Sequence, residues 1–191
     1  MRRDTIRIPP LRTSFLSCEK DAEIIIKQLL VDNQPYSNEL KRLLLINTKD
    51  CLDKSNKDYE EIVKNTSVKE LIEGKYFTLT PRLQLKEHEE VKSYIILTFD
   101  QFEETSNPEF RDFVISFDIL CNLDCWELED FQVRPIKIAG IIDGILNDAK
   151  LTGIGELQFV NCVRLASGNK MSGYSLNFLA THGEDDKIKG D

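Results

Sequence analysis

Histidine is almost missing from this chain: His88, in a charged loop, and His182, near the end, are the only two in 191 residues. Metal centres and acid-base triads draw on histidine in fixed motifs, and neither residue stands in one, so both are expected to be idle surface groups. A glycine-rich phosphate loop is also missing. Gly153-Ile154-Gly155 has the first two glycines of a dinucleotide fingerprint without the third, and it follows a helical pattern where a strand is required, so it reads as a helix stop and turn. Long apolar runs are absent: the longest, Ile24-Ile25-Ile26 with Leu29 and Leu30, falls well short of the roughly 20 residues that span a bilayer, and no membrane contact is expected. Positive charge is in deficit. With 33 acidic against 25 basic residues the net charge is -8, and the clustered Lys and Arg that displace counterions from phosphates are lacking except at the N-terminus.

Cysteine is present but sparse. Cys18, Cys51, Cys121, Cys125 and Cys162 form an odd, scattered set with no secretory leader pattern before them, which predicts a reducing compartment. The spacing of Cys121 and Cys125 fits half of a zinc site, but no second ligand pair lies nearby, so a structural thiol pair is expected. Cys162 lies in a strand pattern with no motif histidine to activate it, and is expected to be buried as a small apolar residue. Glu127, Glu129 and Asp130, beside Trp126, are the residue types that bind hard cations or work as acid and base in glycoside cleavage. Without a supporting motif they read as a solvated loop or a contact for a basic partner. No cofactor and no metal are expected, and an enzyme with an unrecognised site ranks last among the functional readings.

Hydrophobic residues make up 41% and charged residues 30%, the balance of a folded globular protein, and the length suits a single domain. Residues 1–20 carry Arg2, Arg3 and Arg7 together with Pro9-Pro10, which blocks helix and central-strand pairing, so an extended arm is predicted. It is either a solvated leader or an arm that clips onto a neighbouring subunit or a phosphate. The domain proper is expected over 21–182. A helix capped by Ser17 or Asp21 carries Ile24, Ile25, Leu29 and Val31 to about Asp32-Asn33. A second helix opens at Pro35 with Ser37 as its cap and repeats Leu40, Leu43, Leu44 and Ile46.

Residues 48–80 read as a helical insertion, with amphipathic pieces at 59–64 and 68–72 and Gly74 as a stop. A central strand over 94–99 is followed, after a turn at Ser106-Asn107-Pro108, by the clear alternation Phe113, Ile115, Phe117, Ile119, Cys121. The short loop makes the two antiparallel. A helix over 135–149 places Ile138, Ile141, Ile142, Ile145 and Ala149 on one stripe, with Gly140 and Gly144 as bare backbone, expected to pack closely within the domain, the alternative being a helix contact between subunits. A final hairpin alternates Leu157, Phe159, Val163, Leu165 and then Tyr174, Leu176, Phe178, Ala180. The charged residues 183–191, with Glu184, Asp185 and Asp186, read as a frayed acidic tail. The predicted class is α+β: an antiparallel sheet of two β-hairpins packed with an amphipathic helix, preceded by the helical hairpin and the insertion.

The passages AEIIIKQLLVDNQPYSNELKRLLL, RPIKIAGIIDGILNDAK, ELQFVNCVRL and GYSLNFLATHGEDD, in this element order, resemble the tail terminator and tail-completion family of tailed bacteriophages. The resemblance covers about residues 20–182, and the insertion fits a specialised neck ring such as those of the crAss-like phages. It implies a structural virion protein: a ring of six or twelve copies at the head-tail junction, assembled in the bacterial host cytoplasm. Its partners would be copies of itself and the portal-side or tail-side virion proteins, with DNA only passing through the channel. Interfacial residues would then be sought in the arm (Arg2, Arg3, Arg7), the loop with Trp126, Glu127, Glu129 and Asp130, and the tail (Glu184, Asp185, Asp186). The rival reading is a cytosolic adaptor whose acidic surface binds a basic protein.

Overall fold

The structure, a computed structural model, describes residues 14–79, 90–104, 110–151, 155–167 and 170–183. Helix α1 (Ser14–Lys27) runs into a π-turn (Gln28–Asp32), and α2 (Tyr36–Leu45) folds back beside it. The helix therefore starts at Ser14 and takes in residues 14–20, which were expected in the arm. The spacing Phe15, Cys18, Ala22, Ile25, Leu29 explains this, because it extends one apolar stripe upstream of Asp21. Ser37 is not a cap: it lies inside α2, buried, with its hydroxyl unpartnered, and Pro35 occupies the cap position. The insertion forms α3 (Lys57–Asn65), capped by Asn56 accepting from the backbone N–H groups of Asp58 and Tyr59, and α4 (Val68–Glu73), opened by a Ser67–Glu70 capping box.

Five strands make one mixed, mostly antiparallel sheet in the order β1-β2-β3-β7-β6. Two hairpins supply four of them: β2 (Ser93–Glu104) with β3 (Phe110–Asn122), and β6 (Gln158–Ser167) with β7 (Met171–Gly183). The two meet at the antiparallel β3–β7 ladder. The fifth, β1 (Phe77–Thr78), adds parallel to β2 and was not foreseen from sequence, two residues being too short for an alternation to register. Between the hairpins lie α5 (Arg134–Leu146) and a small ribbon of β4 (Lys150–Leu151) and β5 (Gly155–Glu156).

The period-two pattern decides which sheet face is covered. Ile95, Leu97, Phe113, Ile115, Phe117, Ile119, Cys121, Leu176, Phe178 and Ala180 form one core with Ile25, Leu29, Leu40, Leu43, Leu44, Ile138, Ile142 and Leu146 of the helices. The opposite face is open. The register puts Thr98, Asp100, Asp112, Ser116, Asp118, Ser175, Asn177 and Thr181 there, and its described strand positions hold no Lys or Arg. Its apolar positions are the Val114–Leu179 pair, Val163, and one end where Tyr94, Ile96, Leu120 and Met171 pack under Leu165. Gly173 sits in that corner, where a Cβ would run into the Ile119 carbonyl of the adjacent strand.

Candidate interaction surface

The segment that sequence singled out, from Trp126 to the start of α5, folds as a narrow loop. An isolated antiparallel bridge joins Glu127 to Val133, and the Leu128 N–H donates to the Gln132 carbonyl at 2.9 Å. Two successive residues at its tip adopt left-handed backbone, Asp130 at φ 56° and Phe131 at φ 60°. Neither is glycine, so each conformation costs of order 1–3 kcal/mol. The effect is to turn the Phe131 ring fully into solvent. Trp126, at the root of the loop, is partly buried against the core, as expected of a rim anchor.

Phe131 forms one lip of a groove of about 610 Å³, with Tyr36, Val133, Ile136 and Ile141 among its lining. Tyr36 and Ile136 are themselves exposed. The floor includes Gly140 and Gly144, and a Cβ built on either would meet nothing within 4 Å. The expected close packing of these glycines inside the domain is thus not what the structure has. One turn apart, they leave bare backbone facing the groove, while Ile138, Ile142 and Leu146 take the core side of the helix. Glu39 and Lys137 pair across the groove at 2.9 Å. A second depression of about 630 Å³, lined in part by Arg42, Lys54, Glu60 and Lys64, shares Glu39 and Lys137 with the first.

The acidic residues are exposed, as predicted, but differ in their partners. Glu127 pairs with Lys49 at 2.7 Å, and that hydrogen bond, ahead of the lysine charge, holds its carboxyl below the usual range. Glu129 and Asp130 make no ion pair among the described residues. Arg2, Arg3 and Arg7, the tail residues Glu184, Asp185 and Asp186, and also His88 lie outside the described residues. His182 stands opposite Arg111 in the β3–β7 register.

A buried cation, unnoticed in the sequence, fixes this loop to the fold. Arg134 has no exposed surface and donates to four carbonyls: Nε to Cys125 at 2.6 Å, Nη1 to Leu43 at 2.7 Å and Ile46 at 2.8 Å, and Nη2 to Thr48 at 2.7 Å. Leu43 and Ile46 belong to the C-terminal end of α2, where unsatisfied carbonyls and the helix dipole favour a cation. An arginine beside proline at a helix start carries no sequence signal of burial, which is why it was missed.

Cys51, Cys121 and Cys125 are buried, free thiols. Burial raises all three, Cys121 to about 12, so they are protonated at neutral pH. Cys162 corrects its expectation, for it is exposed. It lies on β6, the terminal strand of the sheet, where Phe159, Val160 and Val163 are also exposed. Desolvation and then the nearby Asp143 carboxylate raise its thiol, making it a poor nucleophile at neutral pH. Among the described residues no group of three or more His, Cys, Asp or Glu is placed to hold a metal ion, and no helix is long and apolar enough to cross a membrane.

Comparison with known families gives one finding: the family model named YomW matches residues 37–179, from the first turn of α2 into the last strand, β7. No curated protein matches the chain.

Proposed function

The chain belongs to the YomW family and is a phage-related protein, and from that premise we propose that it is a structural virion protein, a ring-forming subunit of the head-tail connector, neck or tail terminator. A ring closes through a heterologous contact, in which one surface of each copy meets a different surface of the next. The observation that carries the reading is that a single copy exposes two unlike apolar surfaces. One is the groove of α5 with Phe131 on its lip, and the other is the outer edge of β6, paired by no described strand, with Phe159, Val160 and Val163. The open face of the sheet supports it further. A face rich in Asp, Ser, Thr and Asn, with Val114 and Leu179 among them and no Lys or Arg at its described strand positions, does not grip phosphate, which suits a surface past which DNA moves.

In this reading the protein's work is mechanical, its partners are copies of itself and the virion proteins above and below the ring, and its place is the virion. Native mass spectrometry and light scattering on the full-length chain are expected to find six or twelve copies. A strictly monomeric chain across the micromolar range, absent also from purified particles, would overturn the ring. The adaptor reading would then lead, supported by Glu129 and Asp130, which stand exposed and free of ion pairs among the described residues for a basic partner.

A further inference from the structure

We propose that the α5 groove is the seat of residues 6–11 of a neighbouring copy's N-terminal arm. The inference deepens the ring reading and rests on it in needing a neighbour, but it names the contact that joins the copies. The two surfaces match in chemistry. The groove offers two aromatic side chains, Tyr36 and Phe131, over an apolar floor of Ile136, Ile141 and bare glycine backbone. The segment offers Ile6, Ile8, Pro9, Pro10 and Leu11, and proline-rich extended chain docks on aromatic-lined grooves because little conformational entropy is left to lose.

They also match in length. From Val133 to Gly144 the groove runs about 17 Å at the helical rise, and six residues of polyproline-type chain span about 19 Å. Charge agrees as well. Arg2, Arg3, Arg7 and Arg12 stand against one acid, Asp4, in a chain of net charge -8, and just before Phe131 on the loop come the exposed Glu129 and Asp130, which make no ion pair among the described residues.

The ring reading favours a neighbour's arm over the chain's own, because a ring closes only through a contact in which one surface of each copy meets a different surface of the next, and an arm in a groove is such a contact.

The test uses the full-length chain with a photo-crosslinking phenylalanine at Ile8, mixed in equal parts as ¹⁴N and ¹⁵N copies, irradiated, and mapped by peptide mass spectrometry. The expected product joins the arm of one isotope to an α5 peptide of the other. Filling the groove with Gly140→Leu and Gly144→Leu, where there is open space for both side chains, lowers its yield by about tenfold at unchanged helical content. Phe131→Asp, on the exposed tip, does the same without touching α5. Crosslinks confined to one copy, crosslinks to β6 instead, or yields indifferent to these variants each overturn the proposal. Rings that form normally without any arm-to-α5 product sink the arm and leave the ring standing, whereas a monomer with no crosslinks sinks both.

Discussion

Replacing Arg134 by methionine tests how this fold joins its helical hairpin to the loop that carries the groove. Methionine fills much of the same space but leaves the carbonyls of Cys125, Leu43, Ile46 and Thr48 without their donors. Hydrogen bonds to a charged donor are worth roughly 1.5–3 kcal/mol each, yet they do not simply add, because burying the guanidinium costs several kcal/mol in the first place. Each buried carbonyl left without a donor costs about 1–3 kcal/mol, and with the relief of guanidinium desolvation set against the four of them we expect a net loss of about 3–5 kcal/mol. Against a typical domain stability of about 5–15 kcal/mol it is a fifth or more of the total.

Urea unfolding followed by far-ultraviolet circular dichroism measures it. The single tryptophan, Trp126, gives a local reading, since its carbonyl accepts from the Arg134 backbone N–H at 2.9 Å. Arg134→Lys keeps the charge but has no planar fork to reach carbonyls on two sides, so it should recover part of the loss. A methionine variant within about 1 kcal/mol of the parent, or more stable than it, would refute the reasoning and mean that desolvation of the guanidinium outweighs its four bonds.

Other perturbations test separate parts of the structure. Gly173→Ala drives a Cβ into the Ile119 carbonyl and should cost about 3 kcal/mol through forced strand separation; an unchanged melting temperature would refute this. Phe131→Gly relieves a positive-φ side chain and should stabilise the isolated chain by about 0.5–1 kcal/mol while weakening self-association, read by melting and light scattering. Cys51, Cys121 and Cys125 have folded-state values above the thiol's ordinary 9.0, Cys121 at about 12, so the unfolded chain loses these protons first. Their contribution to stability is complete below pH 9.0 and falls away as the pH rises above it, for Cys121 up to about 12, with a slope of up to about 1.4 kcal/mol per pH unit for each thiol. Urea midpoints at rising pH check it, with Cys121→Ala expected to flatten the decline. Val160→Lys with Val163→Lys places cations on the outer edge of β6 and should abolish assembly without loss of the monomer's fold, as judged by native mass spectrometry and circular dichroism.

The parts legible in the sequence were those in which one face is buried and the other wet. The alternation from Phe113 to Cys121 and the stripe Ile138, Ile141, Ile142 located β3 and α5, and with them the α+β class and the two hairpins. The illegible parts depend on where neighbouring elements stop. Gly140 and Gly144 announce bare backbone but not whether anything covers it, and Cys162 alternates like a core residue but lies exposed on the terminal strand of the sheet. The acidic loop was visible as exposed, whereas its apolar tip was not: positive φ at Phe131 has no glycine or asparagine to signal it. Arg134 could not be found at all, since its partners are backbone carbonyls supplied from α2 and the turn before α5.

The register shift between Phe159 and Asn161 on β6 bears on how copies avoid meeting wrongly. Copies of a strand edge that no described strand pairs, left to themselves, pair with one another, and such edge-to-edge pairing is a route to aggregation. A bulge interrupts the ladder and increases the local twist, so the edge offers no long flat run for its own duplicate. The irregularity acts as a filter on geometry: it disfavours sheet-to-sheet fibres and leaves the exposed Val160 and Val163 to a surface of different shape.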